Sequence, residues 1–209
     1  MGLFRTDGLL LRRQNLGEAD RIVIFLSRER GKVRAIAHSA RKSNSKLAGA
    51  IEPLTLSHLE YYGKDNADFF HLRSANILQN FEPIRQNYDK LQHALVVAEL
   101  LDRLLEPGET QLEIFQLSLA VLEKLELVKQ PGDLLILFKI RLLGALGYEP
   151  NFANCADCGN VFARGGAVYK QGQGMLLCSN CSTFGMHLST GAVKHMLAAH
   201  SLPLERAFQ

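Results

Sequence analysis

The sequence predicts an α+β protein: a small N-terminal β-barrel, a helical domain after it, and a four-cysteine module set into the helical part. Three observations carry this. Short alternating apolar and polar runs, separated by turn-forming residues, fill residues 1–80. Apolar residues then recur at helical spacing from Asn87 onward. Finally, two Cys-x-x-Cys pairs stand nineteen residues apart in a segment poor in core-forming side chains.

The strands come first. "GLLLRRQ" is followed by the turn-like "NLGEAD", then "RIVIFLS", the turn "RERG" and "KVRAIAH". In the last run a period of two sets Val33, Ala35 and Ala37 on one face, and Lys32, Arg34 and His38 on the other with Ile36. "SARKSNSKLAG" is polar and small, and reads as a loop or a short helical turn. "LTLSHLEYYG" and "DFFHLRSANILQ" supply two further strands. Five short strands joined by hairpin-type turns predict a barrel.

The character changes at Phe81-Glu82-Pro83, which divides the chain into residues 1–80 and 81–209. Leu91, Ala94, Leu95, Ala98, Leu101 and Leu105 mark a first helix that Pro107-Gly108 ends. A second opens with Thr110-x-x-Glu113, the spacing of a capping box, and runs through Phe115, Leu119, Leu122 and Leu125. A third starts at Asp133 after Pro131-Gly132; apolar residues on most of its sides predict a central, buried position. Residues 151–187 form the cysteine-bearing insertion, in which "QGQG" at 171–174 reads as a hairpin turn. A last helix is predicted from Ser189 to His200.

Cys155 and Cys158, with Cys178 and Cys181, can form two tight turns that present four sulfurs tetrahedrally to Zn²⁺. Gly159 allows the positive φ such a turn often needs. Four thiolates leave no open coordination position, so the expected zinc is structural. His187 is a weaker candidate ligand, and paired disulfides or a redox-active Cys-x-x-Cys are the competing readings.

The net charge of +3 conceals an asymmetry. Residues 1–50 hold eleven Lys/Arg against four Asp/Glu, whereas the rest of the chain is acidic. Between residues 32 and 46 stand Lys32, Arg34, Arg41, Lys42, Lys46 and His38 without one carboxylate, which predicts a polyanion-binding surface. The candidates for contacting that polyanion are Arg34, His38, Arg41, Lys42 and Lys46, with Arg12 and Arg13 as wall residues; as strand neighbours, at most one of these two faces a given groove. Tyr61, Tyr62, Phe69 and Phe70 divide between barrel core and base-stacking platforms.

Enzymatic patterns are missing: no phosphate-binding loop, no Gly-x-Ser-x-Gly elbow and no His-Glu-x-x-His helix, so the chain reads as a non-enzyme. Glu99, Asp102, Glu113 and Glu123 read as solvated helix faces, and His58 and His71 as packed or surface histidines. The apolar run "LLILFKIRLLGAL" is broken by Lys139 and Arg141 and is shorter than the ~20 residues of a membrane span. Arg5, Asp7, Arg12 and Arg13 interrupt any signal-peptide pattern, so a cytoplasmic location is expected.

Three stretches carry a resemblance to a known family: "DGLLLRRQNLGEADRIVIFLSRERGKVRAIAHSARKSNSKLAGAIEPLT", "LLGALGYEPNFANCADCG" and "CSNC". Together they resemble the RecO family of bacterial recombination mediators over nearly the whole chain. The resemblance implies an oligonucleotide-binding (OB) barrel that binds single- and double-stranded DNA and anneals complementary strands. It also implies action with RecR and with the acidic C-terminal tail of single-stranded-DNA-binding protein to help load RecA. Family members generally carry further helical sequence after the last helix predicted here. The competing readings are a protein-interaction adaptor, whose basic patch receives an acidic peptide, and an RNA-binding OB/zinc protein.

Overall fold

Five strands account for the first part of the chain: β1 (Gly2–Leu16), β2 (Asp20–Ser27), β3 (Gly31–Ala37), β4 (Leu56–Gly63) and β5 (Phe70–Gln79). In this computed structural model, which describes residues 1–162 and 166–201, they close in the order β1-β2-β3-β5-β4. That is the OB-type barrel expected. β1 begins well before the predicted run because it serves two partners. Its first half pairs with β4 from Gly2↔Gly63 to Leu9↔Leu56, and its second half with β2 from Gly8↔Ser27 to Leu16↔Asp20. A bulge between Leu10 and Arg12 lets the strand bend between the two ladders.

The alternation read from the sequence sorts the barrel's two faces. Val23, Phe25, Val33, Ala35, Ala37, Leu59, Tyr61, Phe70 and Leu72 point inward and are buried. Tyr61 meets Phe4, Phe25 and Phe70 at ring centroid distances of 5.2 to 5.5 Å. Tyr61 and Phe70 are therefore core, whereas Tyr62 and Phe69 stay partly exposed at 36% and 40%.

Three helices follow within the same compact unit, which ends at Gly132: α1 (Glu82–Arg85), α2 (Tyr88–Leu104) and α3 (Leu112–Leu127). Asn87 caps α2 by accepting from the Lys90 backbone N–H at 3.1 Å. The expected capping box on α3 does not form. Thr110 instead donates to the Glu29 carbonyl at 2.8 Å, and the helix starts after it. Asp102 is not a solvated face either: its backbone carbonyl accepts from Lys32 Nζ at 2.6 Å and its carboxylate meets Arg12 at 3.5 Å. Lys32 is 5% exposed, and burial is the main cause lowering its pKa. It leaves the surface that its place in the basic run suggested.

β3 pairs with β2 along its length but reaches β5 only through Ala35 and Ile36. The remainder of that edge is met by the α2–α3 connection, where Pro107 bridges Gly31 and Lys32 and Gly108 N–H donates to the Lys32 carbonyl at 3.3 Å.

The second compact unit runs from Asp133. α4 (Pro131–Ala145) starts slightly earlier than predicted, a proline at its head being compatible with a first helical turn. It buries Leu134, Phe138 and Leu142 but leaves Ile136 and Leu143 at 58% and 43% exposed, so it is not buried on all sides. A small sheet of β6 (Ala167–Lys170), β7 (Met175–Leu177) and β8 (Met186–Leu188) has the order β7-β6-β8, with residues 171–174 making the predicted turn. α5 (Thr190–Ser201) is capped by Ser189, whose hydroxyl accepts from the Ala192 N–H at 3.1 Å. Ala167, Leu176 and Val193 form the core here, with Phe152, Tyr169 and Leu188 packed against it.

Gly31 gives this fold its sharpest test. It has φ +63°, and a Cβ there would lie 1.7 Å from the Glu109 carbonyl oxygen. Gly31→Ala is expected to lower unfolding free energy by about 1 to 3 kcal/mol in a urea titration, because only backbone movement relieves the clash.

Candidate nucleic-acid interface and metal centre

The basic segment after β3 is a folded surface. Residues 39–48 form successive turns closed by backbone bonds from Lys42 to Ser39, Ser45 to Lys42 and Ala48 to Ser45. The turn between β1 and β2 holds this loop down. Arg41 N–H donates to the Ala19 carbonyl at 2.9 Å, and its guanidinium donates to the Gly17 carbonyl. Asp20 ties the base of the loop, with Oδ1 accepting from Ser39 N–H at 2.7 Å and Oδ2 lying 2.9 Å from His38 Nδ1. These bonds, first the Ser39 N–H and then the His38 ring, hold the Asp20 carboxyl below its ordinary pKa. Asp20 is the residue missed in the sequence, where it lies outside the basic run; only the strand pairing brings it to His38.

The proposed contact residues do not form one set. Arg41, Lys42 and Lys46 are exposed on the loop and Arg34 is half-exposed on β3. None of these four has a carboxylate at ion-pairing distance among the described residues. Arg12 and Arg13 do diverge, as strand neighbours must, and each meets a carboxylate: Arg12 that of Asp102 and Arg13 that of Glu52. Their charge is already matched. His38 is 55% exposed, but both ring nitrogens have neighbours, Asp20 at Nδ1 and His71 Nδ1 at 3.1 Å from Nε2.

His71 in turn lies beside Tyr62, with ring centroids 5.3 Å and planes 23° apart. The His38 and His71 planes differ by only 15°, and the short nitrogen–nitrogen contact makes this an edge-to-edge pair rather than a face-to-face one. Three rings, one just past the end of β3 and the others on β5 and β4, are thereby joined on the barrel surface.

In the second unit, the four cysteine sulfurs lie within 4.8 Å of one another and could hold a metal ion. Cys178 N–H donates to Cys155 Sγ at 3.3 Å, and Gly159, at φ +72°, donates its N–H to the Cys155 carbonyl at 3.0 Å. The backbone N–H of Cys158, followed by those of Cys178 and Asp157, lowers the Cys155 pKa to about 6. Cys181 is pushed up, chiefly through its contacts with the Cys158 and Cys178 sulfurs. This is the electrostatic pattern of a group of sulfurs that a cation would relieve. The donor set fits a tetrahedral thiolate site. His187 is directed elsewhere, with Nε2 3.2 Å from the Thr183 carbonyl.

No helix among the described residues is long and apolar enough to cross a membrane. Residues 1–81 match the family model described as Recombination protein O N terminal, and residues 85–209 match Recombination protein O C terminal. The chain is similar to "DNA repair protein RecO" of Symbiobacterium thermophilum, 32% identical over 202 residues, which cover 94% of this chain and 79% of that one. Its counterpart of that name in Heliobacterium modesticaldum is 39% identical over 160 residues, 76% of this chain and 57% of the relative. The Roseiflexus protein of the same name is 32% identical over 97% of this chain and 72% of its own length.

The Asp20 tether makes a prediction of its own. Asp20→Ala is expected to speed hydrogen exchange of the Ser39 amide by about tenfold or more, because that N–H loses a charged acceptor. Since the folded pKa is lowered, the tether's contribution is complete above the ordinary value of 3.8 and is lost as pH falls through the folded value. Exchange at Ser39 in the unsubstituted protein should rise in that acidic window, after correction for the intrinsic rate.

Proposed function

This chain belongs to the RecO family of DNA repair proteins, and from that premise we propose that it binds single- and double-stranded DNA and anneals complementary strands. With RecR, it would help load RecA onto DNA coated by single-stranded-DNA-binding protein, whose acidic tail it would also contact. The observation that carries the DNA reading is the loop bearing Arg41, Lys42 and Lys46. It is anchored to the β1–β2 turn, exposed, and without compensating carboxylates at ion-pairing distance among the described residues. Arg34 extends the same charge onto β3. Lysines and arginines at phosphates displace condensed counterions, which supplies affinity without sequence preference.

Annealing follows from this surface without bond-breaking chemistry. Two strands that each carry a negative charge per nucleotide repel one another. A shared cationic face lowers that repulsion and raises their local concentration, while base pairing supplies the driving force.

In the second unit, Cys155, Cys158, Cys178 and Cys181 would hold zinc in a closed structural site. The metal would supply cross-linking energy to a module whose apolar core is small.

A salt series read by fluorescence anisotropy tests the main reading. A labelled single strand should bind with a slope of log K against log salt of about −3. Arg41→Ala, Lys42→Ala and Lys46→Ala together should flatten the slope by about 2 and reduce annealing in parallel. A folded triple variant that anneals normally would refute the proposal. For the metal, purified protein should contain one zinc per chain. A strong chelator should unfold the cysteine module, seen by NMR, while the barrel stays folded and DNA affinity is retained.

A further inference from the structure

The barrel's ladder register aligns one outward-facing residue from every strand into a row. Ile22 of β2 pairs with Ile36 of β3, Ile36 with His71 of β5, His71 with Tyr62 of β4, and Tyr62 with Leu3 of β1. Their neighbours along the strands, Val23, Ala35, Ala37, Leu72 and Tyr61, are buried, so the row lies on the outside. Leu3 and Tyr62 are 48% and 36% exposed, and the other three are half-buried. A continuous apolar and aromatic track crossing all five strands is unusual on a barrel exterior, where polar residues normally alternate with the core.

What covers such a track is constrained by its borders. On β3 the row is bracketed by Arg34, two residues before Ile36, and by the basic loop after His38. On β5, Arg73 lies exposed two residues beyond His71. The cations of Arg34, Arg73 and the basic loop therefore stand beside a surface whose centre carries the rings, together with two carboxylates already engaged, Asp20 by Ser39 and His38 and Glu60 by Arg5. That arrangement suits a polyanion with flat apolar groups between its charges, and unpaired nucleobases on a phosphodiester chain are that ligand. A duplex keeps its base faces stacked on one another, so it can use the cations but not the rings. The ends of the row also lie between the β1–β2 turn and the β4–β5 connection, the rim at which OB barrels take oligonucleotides.

We propose that Tyr62 and His71 form a base-stacking site for single-stranded DNA, and that His38, held by Asp20, positions His71 rather than contacting phosphate. This rests on the DNA-binding reading above and assigns single-strand preference to a part of the surface separate from the basic loop. The geometry of His38 carries the last clause. Its Nδ1 is engaged by Asp20 at 2.9 Å and its Nε2 faces His71 at 3.1 Å, which leaves no ring nitrogen for a phosphate oxygen.

The test compares affinities of a labelled oligothymidylate and an equally long duplex across a salt series. Tyr62→Ala is expected to weaken single-strand binding by about tenfold, within the range of one lost stacking contact. Duplex affinity and the salt slope should not change, because no phosphate contact is removed. Tyr62→Phe should bind as the unsubstituted protein does. His38→Ala should follow Tyr62→Ala, losing single-strand affinity at constant slope. Lys42→Ala should instead weaken both ligands and flatten the slope by about 0.7 on the single strand.

Equal losses on both ligands, an altered slope in Tyr62→Ala, or an unchanged Kd in Tyr62→Ala alongside a weakened Lys42→Ala would each overturn the stacking site while leaving the basic loop in place. If the unsubstituted protein binds neither ligand, the DNA reading fails and the stacking site with it. Should Tyr62→Ala not fold, Tyr62→Leu removes the ring while keeping most of the volume, and the same comparison applies.

Discussion

Everything on the barrel surface depends on β1 serving two neighbours at once. A strand that pairs with β4 in its first half and β2 in its second must bend where the two ladders overlap, at Gly8 and Leu9. A side chain at Gly8 would meet Leu59 Cδ1 at 2.8 Å and Phe25 Cδ2 at 2.9 Å, so the core side chains pack here into the space a glycine leaves. Leu10 points into the barrel core, and Leu9 and Leu11 are buried as well, on a strand that α2 also packs against. Leu10 also exchanges backbone bonds with Thr55 and Leu54 at 2.9 and 2.8 Å, fixing the approach to β4. Closing the sheet this way completes the outer row, since Leu3 and Tyr62 are paired only through it.

The chain's positive charges divide by environment more than by position. Lys32 and Arg34 are two residues apart, yet one is buried and hydrogen-bonded to a helix carbonyl while the other faces outward. Arg12 and Arg13 are matched by carboxylates from separate elements, which makes them structural cross-links of modest strength. The loop cations are different. Their supports are backbone carbonyls and a single carboxylate, Asp20, that is occupied by Ser39 and His38. Such bonds organise the loop, and the Asp20 carboxylate, which also feels Lys42, offsets only part of its charge.

How much of this was legible in the sequence varied with how local the cause is. Strand existence, the inward set on β3, the helical periodicity after Asn87 and the cysteine cluster depend on short spacings, and they could be read directly. The early start of β1 could not, because "LFRTD" alternates poorly and is held as strand by its pairing with β4. Thr110 shows the limit of a motif: the capping-box spacing is present, but a carbonyl on another element takes the hydroxyl. The same limit hid the site. Asp20, His71 and Tyr62 lie on three strands and His38 just past the end of a fourth, and no pattern within a single segment indicates that register will align them.

The cover over β3 has a consequence for how the chain is made. All five strands exist once Gln79 has left the ribosome, but the segment that seals β3 at Gly31 and Lys32 contains Pro107, beyond the whole of α2. A nascent chain paused between those points presents a nearly complete barrel with part of one edge bare, the form of sheet most open to pairing with another chain. The glycine at position 31 thus keeps a space on the barrel for a segment that has yet to be translated. Protection of the barrel from aggregation is delayed until the helical part arrives.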